Sequence, residues 1–315
     1  MFAKCTLVIQ GEFAMPNNII EIATNNKKLS VYRGFLRIEE EGSVQKDIPF
    51  NLIHAVIITA FNVVYTNNLL QKLCEENIPL IILGQNYAPS GMLLSYLGQS
   101  RQTEIQYAQI DNKKPLEKKI WQLIIKEKIK NQSRVLDLFK KENKLQYIYK
   151  TVLSGDSSNR EAYAARLYFK SLFGNNFTRD KDMSGINSFL NYGYAILRSS
   201  LARYVVAAGL NPSYGVGHCN KLNPFCLVDD LIEPFRPIVD AYVYRLFENN
   251  PNLDELTTQH KSGLSGLLTK DFFNGNGFSP LYTILQQIVW DMVNIYKNKE
   301  VKFNFNDYLL EDRLL

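Results

Sequence analysis

Residues 118–141, KKIWQLIIKEKIKNQSRVLDLFKK, mark the point at which the character of this 315-residue chain changes. Their apolar side chains recur at the spacing of one helix face, at Ile120, Leu123, Ile124 and Ile129. Lysines occupy the other faces, so the stretch predicts a basic amphipathic helix. Similar helical patterns, interrupted by turn signals such as Ser-Gly-Asp and Gly-Leu-Asn-Pro, continue to residue 297. We therefore predict an α-helical domain over residues 96–315.

Residues 1–95 have a different sequence pattern, in which short segments rich in β-branched and aromatic residues alternate with clusters of Asn, Gly and Lys. These segments are CTLVIQ (5–10), NIIEIA (18–23), KLSVYRGFLRIEE (28–40), HAVIITA (54–60) and PLIILG (79–84). They predict antiparallel strands, with one short helix that begins at Thr66 or Asn67 and is stopped by Asn77 and Pro79. The predicted fold class is α+β, a small β-rich N-terminal domain followed by a larger all-α domain packed closely against it.

Composition is that of an ordinary folded protein, because 46% of the residues are apolar and 21% are charged. The four cysteines form no CxxC pair, so neither a disulfide framework nor a zinc ribbon is indicated, and a cytoplasmic location is expected. The N-terminus lacks the pattern of a secretory signal. The most apolar stretch, residues 53–65, is too short to span a bilayer, so no membrane role is expected.

Charge is distributed unevenly along the chain. The net charge of +5 conceals 19 basic against 10 acidic residues in the segment 96–200, whereas the segments on either side are close to neutral or slightly acidic. Clustered cations raise the local potential more than the total charge does, so the middle segment is predicted to face a polyanion. A solvated helical surface is the alternative.

His218 is the histidine best placed for chemistry. It follows Gly215 and Gly217, which allow a ligand to approach the backbone closely, and the acids Asp230 and Glu233 come shortly afterwards. An imidazole beside carboxylates suits Mn²⁺ or Mg²⁺. Alternatively, Asp230 or its neighbour caps the next helix and His218 bonds to backbone. Zinc binding with the nearby cysteines is disfavoured, because their spacing is not that of a zinc finger.

Glu161 is a third acid of interest, and it also has a purely structural interpretation. It follows Ser158 by three residues at the start of a predicted helix, which is the pattern of a capping box. In that arrangement the Glu161 carboxylate bonds to the backbone amide of Ser158. Nothing near Glu161 in the sequence requires it to take part in chemistry.

Two longer motifs, SSNREAYAARLYFKSLFG (157–174) and GHCNKLNPFCLVDDLIEPFRP (217–237), occur in the order and at the approximate distance seen in one family. The chain resembles the CRISPR-associated spacer-acquisition integrases, the metal-dependent endonucleases of the Cas1 family. The segments FGNNFTRD (173–180) and INSFLNYGYAILRSSLAR (186–203) resemble the branch that accompanies type II systems. The resemblance spans roughly residues 100–295.

The resemblance implies a catalytic and metal-binding triad of Glu161, His218 and Glu233, with Mg²⁺ or Mn²⁺ as cofactor. Asp230 matches a neighbouring acidic position with a supporting role. Many relatives carry Asp where this chain has Glu233, which lengthens the reach without changing the type of ligand.

The activity implied is the insertion of short foreign DNA duplexes into a CRISPR array, by attack of 3′-hydroxyl ends on the repeat borders. The expected partners are double-stranded DNA, a second copy of the chain bound through the β-rich domain, and the small nuclease Cas2. Arg160, Arg166, Lys170 and Arg236 lie near the predicted ligands and are candidates for phosphate contacts or for structural ion pairs. A nucleic-acid-binding scaffold without activity and a metallohydrolase of a small substrate are the competing hypotheses.

Overall fold

The computed structural model describes residues 18–84, 89–96, 102–180, 182–251, 253–273, 277–303 and 305. The predicted strand at residues 5–10 therefore lies outside the described residues. The strands described in the N-terminal part are β1 (Asn18–Ile22), β2 (Lys27–Tyr32), β3 (Phe35–Glu40), β4 (Ser43–Pro49), β5 (Ile53–Ile58), β6 (Val63–Tyr65), β7 (Leu80–Leu83) and β8 (Pro89–Leu93). One helix, α1 (Asn67–Glu75), lies between β6 and β7.

These strands form two four-stranded sheets, ordered β1-β5-β7-β8 and β4-β3-β2-β6. The prediction of antiparallel strands is correct for β2, β3 and β4, and wrong for the β1–β5, β5–β7 and β2–β6 pairs, which are parallel. A parallel pair needs a long crossover connection. The chain supplies one between β1 and β5 by building most of the second sheet, and another between β5 and β7 by way of α1.

Local geometry sets two features of this part, of which the sequence predicted the first. Thr66 caps α1, since its side chain accepts a hydrogen bond from the amide of Leu69. The tight turn between β2 and β3 has Arg33 and Gly34 both at positive φ, which matches the twist of a two-residue hairpin. Both depend only on neighbouring residues, but the hairpin turn was not among the predictions, because residues 28–40 were predicted as one segment.

The helical part contains α2 (Gln102–Ile110), α3 (Lys114–Leu138), α4 (Leu145–Ile148), α5 (Arg160–Phe173), α6 (Ile186–Ala207), α7 (Cys226–Ile232), α8 (Arg236–Asn249), α9 (Thr258–Gly266) and α10 (Leu281–Asn298). A short antiparallel hairpin, β9 (Asp271–Phe273) and β10 (Phe278–Pro280), precedes α10. A β-rich N-terminal region followed by a larger helical region confirms the predicted fold class, with this hairpin as an addition to the expected all-α part. None of the described helices is both long and apolar enough to cross a bilayer.

The sheet β1-β5-β7-β8 connects the two parts of the chain, because one of its faces packs in the N-terminal core and the other in the helical core. Alternate residues point to opposite faces of a strand, so Val56 and Ile58 join the core beneath the N-terminal sheets, whereas Ala55 and Ile57 join the large helical core. Glu21 of β1 reaches the helical part, where it binds Lys261 at 2.7 Å. The close packing of the two parts that we predicted is therefore present.

Helix α3 lies at the centre of the helical part and packs against α5, α7 and α8. The sequence predicted that its lysines would lie on solvent-exposed faces. That prediction is wrong for Lys128, which is only 9% exposed. Lys128 follows Ile124 by four residues and therefore lies on the buried face, where acidic side chains of other elements meet it.

Candidate active site

Two acids from separate parts of the chain meet at a single lysine. The Lys128 ammonium lies 2.6 Å from Oε1 of Glu161 and 2.6 Å from Oε2 of Glu233. Glu161 is in the first turn of α5, and Glu233 begins the short 3-10 turn that links α7 to α8. Helix α3 therefore carries the cation on which the two predicted ligands converge.

The start of α5 explains why the Glu161 side chain is available. The Asp156 carboxylate accepts hydrogen bonds from the backbone amides of Arg160 and Glu161, at 2.8 and 3.0 Å. The helix begins after Asn159, which has φ of 50° and makes no side-chain capping bond. The capping-box interpretation of Ser158 and Glu161 is therefore wrong, because Asp156 caps the helix and the Glu161 carboxylate turns to Lys128.

Asp230 organises the loop of His218. Its fully buried carboxylate accepts hydrogen bonds from the amides of Val216, Gly217 and His218, and it bonds to Nδ1 of His218 at 2.7 Å. Asp230 does not cap a helix, since it lies inside α7. A carboxylate at Nδ1 favours the tautomer that carries its proton there, which leaves the Nε2 lone pair for a ligand.

Gly215 and Gly217 are required for the packing of this loop, not for the approach of a ligand. A Cβ at Gly217 would lie 2.3 Å from the Trp121 ring, and one at Gly215 would lie 2.4 Å from the His218 carbonyl. The same Trp121 ring meets the His218 imidazole edge-on, with 5.5 Å between centroids. The absence of a side chain at Gly217 allows the loop to pack against α3, and its absence at Gly215 allows the loop to fold back towards His218 and Asp230.

Neighbouring charges shift the pKa values of Glu233, Lys128 and His218 in the directions that favour their charged forms. Burial alone would raise the pKa of Glu233, but Arg236 and Lys128 outweigh it and lower that pKa. Burial alone would lower the pKa of Lys128, but Glu233 and Glu161 outweigh it and raise that pKa. The hydrogen bond that His218 donates to the Asp230 carboxylate raises the pKa of His218 despite burial, and the charges of Glu233 and Glu161 add to the effect. The shifts thus favour an ionised Glu233 beside a protonated Lys128.

Arg236 forms an ion pair with Glu233, with its NH2 group 3.1 Å from Oε1. One of the two roles predicted for this arginine, the structural ion pair, is therefore present. Its guanidinium also lies over the Tyr194 ring, 4.8 Å from the centroid. Arg236 thereby connects the acid of the site to helix α6.

The donor atoms fit a divalent cation in chemistry. Carboxylate oxygens and a neutral imidazole are ligands that Mg²⁺ and Mn²⁺ accept, and Glu161, His218 and Glu233 supply them. Oε2 of Glu233 touches the Lys128 ammonium without making a hydrogen bond of good geometry, so this buried oxygen is incompletely satisfied. In their present positions, however, no three or more His, Cys, Asp or Glu side chains of the described residues form a group that could hold a metal ion. The lysine occupies the position between the carboxylates.

Two clefts open on either side of His218. One, of about 500 Å³, includes Lys114, Tyr214 and Lys221 in its lining. The other, of about 520 Å³, presents three arginines, Arg179, Arg198 and Arg236. His218, Asn220 and Asn223 belong to both linings and form the wall between the clefts.

Sequence reasoning missed Lys128, Asp156, Arg179 and Arg198. A charged residue four positions after Ile124 on an apolar helix face was a signal for Lys128, since such a residue is buried only with a partner. The arginines come from the segment before α6 and from α6 itself, and no local pattern connects them to His218.

Comparisons with known proteins identify the family of this chain. The family model described as "CRISPR associated protein Cas1" matches residues 20–273. The "CRISPR-associated endonuclease Cas1" of Neisseria meningitidis serogroup C (strain 8013) is 39% identical over 243 residues, which cover 76% of this chain and 79% of that protein. The chain belongs to the Cas1 family, as the motifs predicted.

Solved structures show the same fold. A chain from "Casposase bound to integration product" superposes with a TM-score of 0.78 at 20% identity, over 93% of this chain and 94% of that one. A chain from a "Cas6-RT-Cas1--Cas2 complex" superposes with a TM-score of 0.75 at 19% identity, over 96% of this chain and 37% of that one. At these identities the similarity concerns the fold alone.

Proposed function

We propose that the protein is a metal-dependent DNA integrase and endonuclease that inserts spacers into a CRISPR array. Family membership supports this proposal, together with the name of the Neisseria relative and the fold shared with a casposase bound to its integration product. The observation that carries it is the convergence of Glu161 and Glu233 on one cationic position beside an imidazole oriented by Asp230.

In this proposal Glu161, Glu233 and the Nε2 atom of His218 hold Mg²⁺ or Mn²⁺. The bound ion would polarise the scissile phosphate and favour loss of the proton from the attacking hydroxyl. The two carboxylates carry a charge of −2, which matches a divalent cation. Asp230 is a positioning residue, because it fixes the ring and tautomer of His218 without facing the substrate.

The reaction conserves the number of phosphodiester bonds. A 3′-hydroxyl of the captured duplex loses its proton and forms a new P–O bond at the repeat border. The bond from that phosphorus to the 3′-oxygen of the repeat strand breaks, and the released oxygen takes up a proton. No nucleotide triphosphate is required, so the chain needs only to position two DNA strands and stabilise the charge on the phosphorus oxygens.

We infer that the DNA backbone follows two cationic surfaces beside the site. The first is the cleft of Arg179, Arg198 and Arg236, next to His218. The second is the exposed face of α5, where Tyr163, Arg166 and Lys170 follow one another at intervals of three and four residues, on the helix that carries Glu161 in its first turn. Guanidinium and ammonium groups bind phosphates and release counterions, so DNA affinity should fall steeply with salt.

We also propose that the protein acts as a homodimer together with Cas2. Two strand transfers at opposite repeat borders require two active sites, and each chain supplies one. The sheet β4-β3-β2-β6 exposes Tyr32, Phe35 and Val44, which suit a contact with a second copy. A chain of this fold occurs in the Cas6-RT-Cas1--Cas2 complex, which supports the second partner.

A catalytically inactive scaffold of the same fold is the second candidate. It is favoured by the position of Lys128, whose ammonium already neutralises part of the carboxylate pair without a metal. A scaffold would bind DNA equally well in the presence of a chelator.

An integration assay separates the two candidates. It combines supercoiled repeat-containing DNA, short duplexes, Mn²⁺ and Cas2, with the wild-type chain or with Glu161→Gln, His218→Ala or Glu233→Gln. We expect integration by the wild type and by none of the three triad variants, its loss in EDTA, and DNA binding by all four proteins. The exposed Glu142→Gln serves as a matched control that keeps activity. Integration in EDTA would refute the metal dependence, and full activity of any triad variant would refute its role.

A further inference from the structure

We propose that the Lys128 ammonium is the resident counter-ion of the metal site, which holds Glu161 and Glu233 together without a metal and is displaced when a divalent cation binds. This inference rests on the proposed metal-dependent function. It makes Lys128 a positioning residue that lowers the affinity for the metal and keeps the empty site folded.

The contacts show that the ammonium occupies the place of a cation. Nζ donates a hydrogen bond to Oε1 of Glu161 at 2.6 Å and lies 2.6 Å from Oε2 of Glu233. The lysine side chain is 11% exposed and the Glu233 side chain is 3% exposed, so water screens these charges little. Two carboxylates at such a position repel each other unless a cation lies between them.

Charge balance argues that lysine and metal exclude each other. Glu161 and Glu233 contribute −2, and Lys128 with Arg236 contributes +2, so the cluster is neutral as it stands. A divalent ion bound to the same oxygens at about 2.1 Å would lie close against an ammonium that also touches them. At that separation the repulsion between the cations is large in a buried site. The flexible four-carbon stem of lysine allows the ammonium to withdraw.

The lysine is held more firmly by one acid than by the other. Its contact with Glu161 has hydrogen-bond geometry, whereas its contact with Oε2 of Glu233 does not. Glu233 keeps the Arg236 guanidinium at its other oxygen, 3.1 Å away. Departure of the ammonium therefore leaves Glu233 paired through Oε1, with Oε2 open to a new cation.

Removal of the lysine charge should have opposite effects with and without metal. Without metal, loss of the ammonium leaves the buried Glu233 carboxylate facing that of the partly exposed Glu161, which destabilises the fold. With Mn²⁺ present, the ion no longer competes with a resident cation. The same substitution therefore lowers the melting temperature in EDTA and strengthens Mn²⁺ binding.

The test compares Lys128→Met and Lys128→Gln with the wild type and with Lys126→Met, a neighbouring lysine of the same helix. Mn²⁺ affinity is measured from the EPR signal of the free ion, with Glu161→Gln as the reference for binding outside the site, and melting is recorded in EDTA and in Mn²⁺. We expect at least tenfold tighter Mn²⁺ binding in both Lys128 variants, a lower melting temperature in EDTA, and a larger rise on adding Mn²⁺. Lys126→Met should behave as the wild type.

A measurement on the wild-type chain tests the inference even if both Lys128 variants fail to fold. Acetylation of lysines, followed by mass spectrometry, should find Lys128 protected in EDTA and more reactive at saturating Mn²⁺, with Lys126 unchanged. Unchanged or weaker Mn²⁺ binding in folded Lys128 variants, or unchanged Lys128 reactivity, would overturn the inference alone. Absence of Mn²⁺ binding at the site in the wild type would overturn the proposed function as well.

Discussion

The Asp230 carboxylate holds His218 at two points, accepting a hydrogen bond from its backbone amide at 2.9 Å and meeting its Nδ1 at 2.7 Å. One buried side chain therefore sets both the path of the loop and the orientation of the imidazole. The amides of Val216 and Gly217 bind the other oxygen of the same carboxylate. The position of Nε2 consequently depends on Asp230 as much as on His218 itself.

Asp230→Asn should reduce Mn²⁺ affinity and strand transfer by about 10 to 100-fold, since residues that orient a metal-binding histidine have effects of this size. The amide replaces one acceptor oxygen with a donor and weakens the bond to Nδ1. Titration of strand transfer with Mn²⁺ measures the effect. Asp229→Asn is the matched control, because its carboxylate binds Arg198 and Asn223, and it should leave Mn²⁺ affinity unchanged. Equal affinities in all three proteins would contradict the role of Asp230.

Gly217→Ala should destabilise the fold by about 1 to 3 kcal/mol, the range for forcing extra atoms into a packed site. Its Cβ would lie 2.3 Å from the Trp121 ring, so the loop of His218 has to move. Urea unfolding gives the free energy, and the integration assay should show lower activity in the same protein. Gly266→Ala, where a Cβ would meet nothing within 4 Å, should be neutral or slightly stabilising. A stability equal to that of the wild type for Gly217→Ala would argue against the close packing.

Asp240→Asn should change how stability depends on pH. Burial raises the pKa of Asp240 to about 6, although Tyr194, Tyr168, Arg179 and Arg236 act in the opposite direction. The folded state therefore binds the proton more tightly than the unfolded state, whose pKa is near 3.8. The contribution of the protonated acid is fully present below pH 3.8 and is lost as the pH rises through about 6.

Melting temperatures of the wild type and Asp240→Asn between pH 3.5 and pH 8 measure this dependence, because other titrations cancel in the difference. Relative to the variant, the wild type should lose stability between about pH 4 and pH 6 and then stay level. A difference that is constant across the whole range would refute the buried titration.

Arg166→Ala and Lys170→Ala should each weaken DNA binding uniformly across sequences and reduce the salt dependence of the binding constant by about one unit of slope. Both residues are exposed on α5, where the Arg166 guanidinium lies 5.7 Å from the Tyr163 ring centroid. Fluorescence anisotropy with labelled duplexes at several salt concentrations provides the slope. Lys28→Ala, which removes an exposed lysine of the β-rich part, is the control. An unchanged slope in both α5 variants would place the DNA elsewhere.

Local elements of the fold could be predicted because they depend on neighbouring residues. The Thr66 cap and the long helix around Ile124 each follow from spacing within a few positions. The parallel pairing of β1 with β5 could not be predicted in this way, because it depends on a crossover that spans the second sheet. The predicted capping box was also wrong, since Asp156 binds the backbone amides of Arg160 and Glu161 and the Glu161 side chain binds Lys128 instead of the Ser158 amide.

By itself, the sequence determined the α+β class, the helical and β-rich segments and, through its motifs, the membership of the Cas1 family. Glu161, His218 and Glu233 as metal ligands stay a prediction that rests on those motifs. Only the tertiary structure decided that Glu161 and Glu233 meet on Lys128 and that Asp230 orients His218. The reason is physical: periodicity specifies which face of a helix is buried, but packing between distant segments specifies which charges are buried together.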